Sequence, residues 1–339
     1  MYKITKKIVV ILFATLVALA FSQNAYGLSY LNITATTNKE SYDIMEEIFI
    51  TGKLSQNGSI PVSDGLVTIQ VDNPENNFFA IRTRTTGANL ADPWPVEILE
   101  IVSCDQGGNP KGSFKPGGNA GFKVTIKNND PVAHIITVTL NVYDRYEAPF
   151  AALIIYSGSI GASGLIIPMI WPVIIPSKAP EGIATVYANV LTQLPREGGF
   201  AYSPEKSATF AISKTTTTAF SATPTIHSAS EAGAYNLTFR IGSGYGAKLG
   251  THTVYVCSFY EIWLATNSTT FELVLLGDIT GPEGVPDGIV DIDDIIFVAI
   301  RFGLKEGDPG WDPRADITED GLIDIDDVMF VALRFGNTL

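Results

Sequence analysis

A chain of 339 residues that is 46% hydrophobic, with 31 Gly and 19 Pro, can bury two or three ordinary cores and has turn residues for many short elements rather than long helices. Its net charge of −13 is uneven: from Gly277 onward fifteen acidic residues stand against four basic ones, which leaves only −2 for everything before. No basic stripe exists, and the charge pattern gives no footprint for DNA or RNA.

At the N-terminus Lys3, Lys6 and Lys7 precede the apolar run IVVILFATLVALAF (Ile8 to Phe21), and Ala25-Tyr26-Gly27 places small residues where a signal peptidase cuts. Residues 1–27 are expected to be a signal peptide removed before Leu28, giving a secreted or cell-surface protein with no stable membrane insertion. The alternative is an uncleaved anchor helix, for which fourteen apolar residues are short. A second apolar stretch, LIIPMIWPVIIP (Leu165 to Pro176), carries Pro168, Pro172 and Pro176, which would break a spanning helix at each turn.

Between Leu28 and Leu276 segments such as EIFITGKL, GLVTIQV, GFKVTIKN, ITVTLNVYD, IATVYANV, YNLTFRI and THTVYVCSF alternate in polarity, are rich in β-branched and aromatic residues, and are bounded by Gly, Asn, Pro or Asp. Strands at this spacing without helical periodicity predict a mainly β, immunoglobulin-like sandwich architecture. Four sequons, at Asn32, Asn57, Asn236 and Asn267, place any glycans on surface loops. Cys104 and Cys257 are the only cysteines, so no disulfide framework holds the protein; two separate buried thiols are expected, with one bridge as the alternative.

The run from Thr34 to Gly87, TATTNKESYDIMEEIFITGKLSQNGSIPVSDGLVTIQVDNPENNFFAIRTRTTG, resembles the first half of the immunoglobulin-like, macroglobulin-type domains of archaeal and bacterial surface proteins. The strands that complete that pattern stand much later, as GAYNLTFRI, LGTHTVYVCSFY and NSTTFELVLL. The resemblance implies a discontinuous sandwich, residues 28–90 with 214–276, interrupted by a second sandwich, residues 91–213; three domains in sequential order are the alternative. In the inserted segment GGNAGFKVTIKNNDPVAHIITVTLNVYD is similar to sandwich domains of the adhesion-module kind, which display loops or space other modules apart.

The C-terminal 63 residues contain one text written twice, DGIVDIDDIIFVAIRFG from Asp287 and DGLIDIDDVMFVALRFG from Asp320. An EF-hand-type loop takes calcium ligands from positions 1, 3, 5, 7, 9 and 12, with Gly at 6 for the sharp turn. Counting from Asp316 gives Asp316, Thr318, Asp320, Gly321, the Leu322 carbonyl, Asp324 and Asp327, an oxygen donor at each ligand position. Ile323 at position 8 is expected to pin the loop to its partner, and VMFVALRF to form the exit helix. In the first copy Asp287, Gly288, the Ile289 carbonyl, Asp291 and Asp294 fill positions 5, 6, 7, 9 and 12, behind a five-residue insertion. Asp278 and Thr280 then take positions 1 and 3, by the echo of GDIT (277–280) in ADIT (315–318), with Glu283 as the alternative first ligand.

Asp rather than Glu at position 12, no entering helix before either loop and tandem duplication at the C-terminus make residues 277–339 resemble type I dockerin modules, small α-helical domains. The resemblance implies two calcium ions and calcium-dependent docking onto a cohesin domain, often within polysaccharide-degrading assemblies. It also implies partner contacts from loop positions 10 and 11, here Ile292-Asp293 and Ile325-Asp326, and from Arg301 and Arg334 downstream. Family members more often carry small polar residues at those loop positions, so an apolar contact surface is implied here.

Catalytic signatures are missing: His134, His227 and His252 have no metal-ligand spacing, and no nucleophile motif stands with a triad. Glu97 or Glu100 with Asp144 or Glu147 are nominal carboxylate pairs for glycoside hydrolysis, and Trp94, Trp171, Tyr143 and Tyr146 a nominal sugar platform. The leading expectation is an exported, non-catalytic binding or scaffold protein. The alternatives are a carbohydrate-binding component of a polysaccharide-degrading assembly, recognising polysaccharide or cell-wall glycan, and a cryptic glycoside hydrolase.

Overall fold

The computed structural model describes residues 30–87, 94–215, 231–242 and 245–339. The expected signal peptide lies outside these residues, as does the expected boundary at 90/91. The protein is mainly β. The chain begins with β1 (Leu31–Ile33), β2 (Thr36–Thr37), β3 (Ser41–Asp43), β4 (Glu47–Gln56), β5 (Ile60–Pro61), β6 (Gly65–Asp72) and β7 (Phe78–Thr86). It continues with β8 (Val96–Cys104), β9 (Ser113–Phe114), β10 (Asn119–Asn128), β11 (His134–Tyr143), β12 (Pro149–Ile160), β13 (Leu165–Ile166), β14 (Met169–Ile174), β15 (Gly182–Leu191) and β16 (Lys206–Ile212). Then come β17 (Ala234–Arg240), β18 (Gly250–Tyr260) and β19 (Trp263–Val274), followed by two helices, α1 (Ile292–Ala299) and α2 (Ile325–Ala332).

Two apolar cores each lie between a pair of sheets. In the first, the sheet β1-β4-β17, with β2 and β5 also on β4, faces the sheet β3-β19-β18-β6-β7. Ile48, Ile50 and Leu54 of β4 alternate inward to meet Val67, Ile69 and Val71 of β6 and Val254, Val256 and Phe271 from the far end of the chain. β6 pairs directly with β18, Ile69 opposite Val256. The second core lies between β10 with its partners β8, β13 and β14 and the sheet β12-β11-β15-β16-β9, and is filled by Phe122, Val124, Ile126, Val138, Leu140, Val186 and Phe210. The proline-punctuated stretch from Leu165 forms the edge strands β13 and β14 along β10. Cys104 and Cys257 are both buried and free, with burial pushing the Cys257 thiol up to about 12.

β6 departs from the half-buried pattern expected of an alternating strand, because all eight of its residues are buried. Its polar face meets the second unit: Thr68 Oγ1 accepts from Ala201 N (3.1 Å), Gln70 Oε1 from Arg196 N (3.2 Å), and Asp72 pairs with Arg196 at 3.2 Å. On the neighbouring strand β7, Asn141 Oδ1 accepts from Ile81 N (2.9 Å) and Asn189 Nδ2 donates to Ile81 O (3.1 Å). The junction is closed by Glu205, 4% exposed, which takes Arg82 Nη2 at 2.8 Å, Thr83 N at 2.9 Å and Arg84. Arg82 also lies 3.2 Å above the Tyr187 ring. Burial opposes ionisation of Glu205, but the two guanidiniums overcome it and hold its carboxyl at about 2.

Removing one partner of a buried ion pair leaves an uncompensated charge and typically costs about 3–5 kcal/mol. Glu205→Ala is expected to lower the denaturant midpoint by a loss of that size, whereas Glu181→Ala, in an exposed pair with Lys214, leaves the midpoint unchanged. Urea unfolding of both variants checks it. His252 gives a pH prediction. It is stacked on Phe271 with ring centroids 5.1 Å apart, its Nε2 has no partner among the described residues, and burial lowers its pKa against the opposing Gly250 carbonyl and Glu272. The folded state therefore binds fewer protons than the unfolded one, whose imidazole titrates near about 6.5, so this contribution is full above that pH and is lost as pH falls below it. His252→Phe is expected to flatten the wild-type loss of thermal stability between about pH 6.5 and 5.

Candidate functional site: the paired C-terminal loops

The two repeats fold alike because the same aspartates close the loop and start the helix. Asp291 caps α1 by accepting from Asp293 N (2.8 Å), and Asp294 Oδ2 accepts in return from Asp291 N (2.8 Å). Asp324 and Asp327 do the same at α2, with Asp326 N on Asp324 Oδ1 and Asp324 N on Asp327 Oδ2, both 2.8 Å. These are reciprocal capping boxes, which satisfy orphan donors of a helix start. The second oxygen of each N3 carboxylate reaches back to the head of its loop. Asp294 Oδ1 accepts from Ile279 N (2.8 Å) and Thr280 N (2.9 Å), and Asp327 Oδ1 from Ile317 N (2.8 Å), Thr318 N (3.0 Å) and Thr318 Oγ1 (3.1 Å).

The first loop position is equally matched. Asp316 accepts from Asp320 N (3.2 Å) and Gly321 N (3.0 Å), and Asp278 from Asp287 N (3.1 Å) and Gly288 N (2.8 Å). Asp278 therefore stands where Asp316 stands, and Glu283 lies in the exposed insertion between Thr280 and Asp287. Gly288 and Gly321 turn at φ +88° and +86°, the left-handed region that glycine occupies without strain. The insertion folds back tightly: a Cβ on Gly281 would lie 2.8 Å from the Asp287 Cβ. Asp287 and Asp320 each accept from the amide two residues on, those of Ile289 (3.2 Å) and Leu322 (2.9 Å).

Ile323 and its counterpart Val290 are buried in one apolar core. Each also bridges the segment leaving the other helix: Ile323 N donates to Leu304 O and Gly303 N to Ile323 O, at 2.9 and 2.7 Å, while Val290 N donates to Asn337 O and Gly336 N to Val290 O, at 2.9 and 2.8 Å. Val290, Val298, Ala315, Ile323 and Val331 form the buried core of this two-fold arrangement.

Electrostatically the loops are lopsided. Asp294 and Asp327 are fully buried and Asp278 and Asp316 nearly so. Yet Arg301 and Arg314 are directed to Asp312 and Arg334 to Asp43. Burial pushes the Asp278 carboxyl up, against the amides of Gly288 and Asp287, and like charge on Asp294 and Asp287 adds to the rise. Among the described residues no three His, Cys, Asp or Glu side chains are gathered into a cage that could hold a metal ion. The carboxylates accept backbone N–H groups of their own loops instead.

Ile292, Asp293, Ile325 and Asp326 are exposed. Arg301 and Arg334 turn inward, over the rings of Phe297 and Phe330 at 3.7 and 3.6 Å. Exposed apolar residues run along each helix and past its end: Ile292, Ile296, Ile300 and Phe302 from the first, Ile325, Met329, Leu333 and Phe335 from the second, with Ile300 at 71% and Leu333 at 79%. The i, i+4, i+8 spacing of the first three in each set is legible in the repeat. The unit is also fastened to the first sandwich: Ile44 and Leu275 join its core, and Asp43 accepts from Arg334 Nε (3.3 Å), Leu276 N (3.1 Å) and Ile44 N (2.8 Å).

The nominal catalytic acids stand apart. Glu97, on β8, accepts from Asn129 Nδ2 (2.9 Å) and Glu100 is exposed on that strand. Asp144, in the β11–β12 turn, is buried and accepts from Tyr146 N (2.8 Å), Ala148 N (3.1 Å) and Tyr245 Oη (2.7 Å); Glu147 lies exposed in the same turn. Tyr143 is buried in the first core, Trp94 packs at the junction of the two units, Trp171 is half-buried on β14, and Tyr146 is exposed, so the four aromatics make no shared platform. No described helix is long and apolar enough to cross a membrane.

No family model and no curated relative matches this chain. Among solved structures it is similar to a Pseudomonas fluorescens alkylpurine DNA glycosylase AlkC bound to DNA, at 15% identity over 36% of this chain and 31% of that one, with a TM-score of 0.28. Dimeric latent PorU from Porphyromonas gingivalis is 9% identical over 73% of this chain and 34% of that one, with a TM-score of 0.20. A Salmonella alpha-2-macroglobulin mutant is 8% identical over 71% and 23%, with a TM-score of 0.21. The chain spans about a third or less of the length of each, and at such scores none of these likenesses bears on fold or function.

Removing the Asp43 carboxylate strips three hydrogen bonds from the joint between sandwich and loops, and bonds to a charged group contribute about 1.5–3 kcal/mol each. Asp43→Ala is expected to speed amide exchange throughout 277–339 while leaving 96–212 unchanged, as hydrogen-exchange mass spectrometry of the full chain would read.

Proposed function

We propose that this is an exported, non-catalytic binding or scaffold protein. Two immunoglobulin-like sandwiches, residues 28–90 with 214–276 and an inserted one at 91–213, carry a C-terminal dockerin-type module, residues 277–339, that binds two calcium ions and docks onto a cohesin-like domain. The observation that carries the reading is the matched pair of loops with buried carboxylates and, among the described residues, no arginine or lysine paired with them. The donor set is all oxygen, the chemistry of a hard cation. Asp278, Thr280, Asp287, the Ile289 carbonyl, Asp291 and Asp294 would hold one ion. Asp316, Thr318, Asp320, the Leu322 carbonyl, Asp324 and Asp327 would hold the other. Bound calcium supplies the countercharge that the chain withholds.

Docking is supported by the exposed apolar stripes on α1 and α2, of a kind that marks contact surfaces. Asp293 and Asp326 flank them with negative charge, so the partner surface is apolar with basic groups at its margin. The arginines are assigned to the module's own packing.

Calorimetric titration of the full chain tests the reading, since the module shares its core with the first sandwich. Wild type is expected to bind two calcium ions, Asp327→Ala one, and Asp326→Ala two, because Asp327 closes a loop while Asp326 is an exposed neighbour at a non-ligand position. Equal losses from both substitutions would show the loop register to be wrong, and no binding by wild type would remove the calcium reading.

A further inference from the structure

We propose that the outward face of the sheet β1-β4-β17 is a site of N-linked glycosylation, with sugar on Asn32, Asn57 and Asn236. All four N-x-S/T sequons of the chain fall in the first sandwich; residues 94–213 and 277–339 contain none. The fold gathers three of them. β4 turns Ile48, Ile50 and Leu54 into the core, which leaves Thr51 and Lys53 on the outer side. Asn32 on β1 stands opposite Ser55, and Asn236 on β17 stands opposite Thr51, so both lie on that outer side, one on each flank of β4. Four residues of strand and two inter-strand steps separate them, about 13 Å along and about 10 Å across. Asn57 occupies the turn at the end of β4, at φ +52° before Gly58 at +74°.

All three asparagines are exposed. The Asn57 side chain uses only its oxygen, accepting from Tyr30 N at 3.1 Å, and no side-chain hydrogen bond engages the amide nitrogen of Asn32, Asn57 or Asn236 among the described residues. Asn267 differs: it lies on β19 in the other sheet, and its Nδ2 donates to Ile33 O at 2.8 Å. Among the described residues the inserted unit packs on β6 and β7 and the C-terminal loops on the Asp43–Met45 turn, not on this face. β1 and β17 are also the two ends of this sheet's strand path. The outer edge of β17 is already engaged, Asn236 O by Arg84 Nε (3.0 Å) and Arg240 N by Glu147 O (3.1 Å), and a bulky polar group beside a strand edge further opposes pairing with another chain. Sugar here would guard the sheet without touching the docking end.

The transfer forms a bond from the asparagine Nδ2 to the anomeric carbon of a lipid-phosphate-linked oligosaccharide. The bond from that carbon to the phosphate oxygen breaks, the lipid phosphate leaves with the electron pair, and the amide gives one proton to the transferase's base. The proposal rests on the export reading, because the donor and its transferase act on exported chains. The test is glycopeptide and N-terminal mass spectrometry of the full chain recovered from the organism that encodes it. The expected result is a chain lacking its leader, with hexose-containing mass on the peptides bearing Asn32, Asn57 and Asn236. Asn32→Gln, Asn57→Gln and Asn236→Gln should each remove one glycan mass while circular dichroism stays unchanged. A leaderless chain with all three bare, or with sugar only on Asn267, overturns the glycan proposal and leaves export standing. A bare chain that keeps its leader in the cell overturns both.

Discussion

Asp278, Asp294, Asp316 and Asp327 are at most 7% exposed, and the module's three arginines are committed elsewhere; the form of the C-terminal repeat follows from how that burial is made tolerable. An ionised carboxylate taken out of water without a partner is costly. Here each is surrounded by amide N–H groups, which favour the charged form but carry no net charge to cancel it. The arrangement is also economical in atoms. Asp294 and Asp327 close a loop with one oxygen and cap a helix start with the other, so neither loop can open without loosening the first turn of its helix.

The same constraint orients the surfaces. Because each loop is bridged to the exit of the other helix, the two repeats are held as a symmetric pair, and the side chains left outside include the apolar ones at i, i+4 and i+8. The pair does not hang from a linker. β19 ends at Val274, Leu275 enters the C-terminal core, and Asp43 anchors Arg334 from a turn of the first sandwich. A partner bound to α1 or α2 would therefore be held in a defined direction relative to both sandwiches, which the Glu205 junction in turn fixes to one another.

Much of this was legible in the sequence where geometry demands particular residues at fixed offsets. A loop that turns at glycine and caps its helix needs Asp at two positions three apart, so Asp291/Asp294 and Asp324/Asp327 stood out. The Asp278 register followed from the GDIT echo, and the hydrogen bonds to Asp287 and Gly288 match those in the second loop. What escaped was whatever depends on a distant surface. Thr68, Gln70 and Asp72 read as a solvent face of β6, but the second unit covers them. Arg82, Arg84 and Glu205 lie far apart in sequence and carry no local signal of their pairing. Arg301 and Arg334 stand among the partner contacts that the resemblance implies, and the placement of Phe297, Phe330, Asp312 and Asp43 turns them inward.

The proposed calcium binding turns on the buried carboxylates of the two loops. Amide hydrogen exchange of the full chain, with calcium and with chelator at matched ionic strength, tests it most directly. Calcium is expected to slow exchange in both 278–294 and 316–327 and in the adjoining Asp43–Glu46 turn, with β10 and β11 of the inserted unit unchanged. Identical exchange in calcium and chelator across both loops would contradict it.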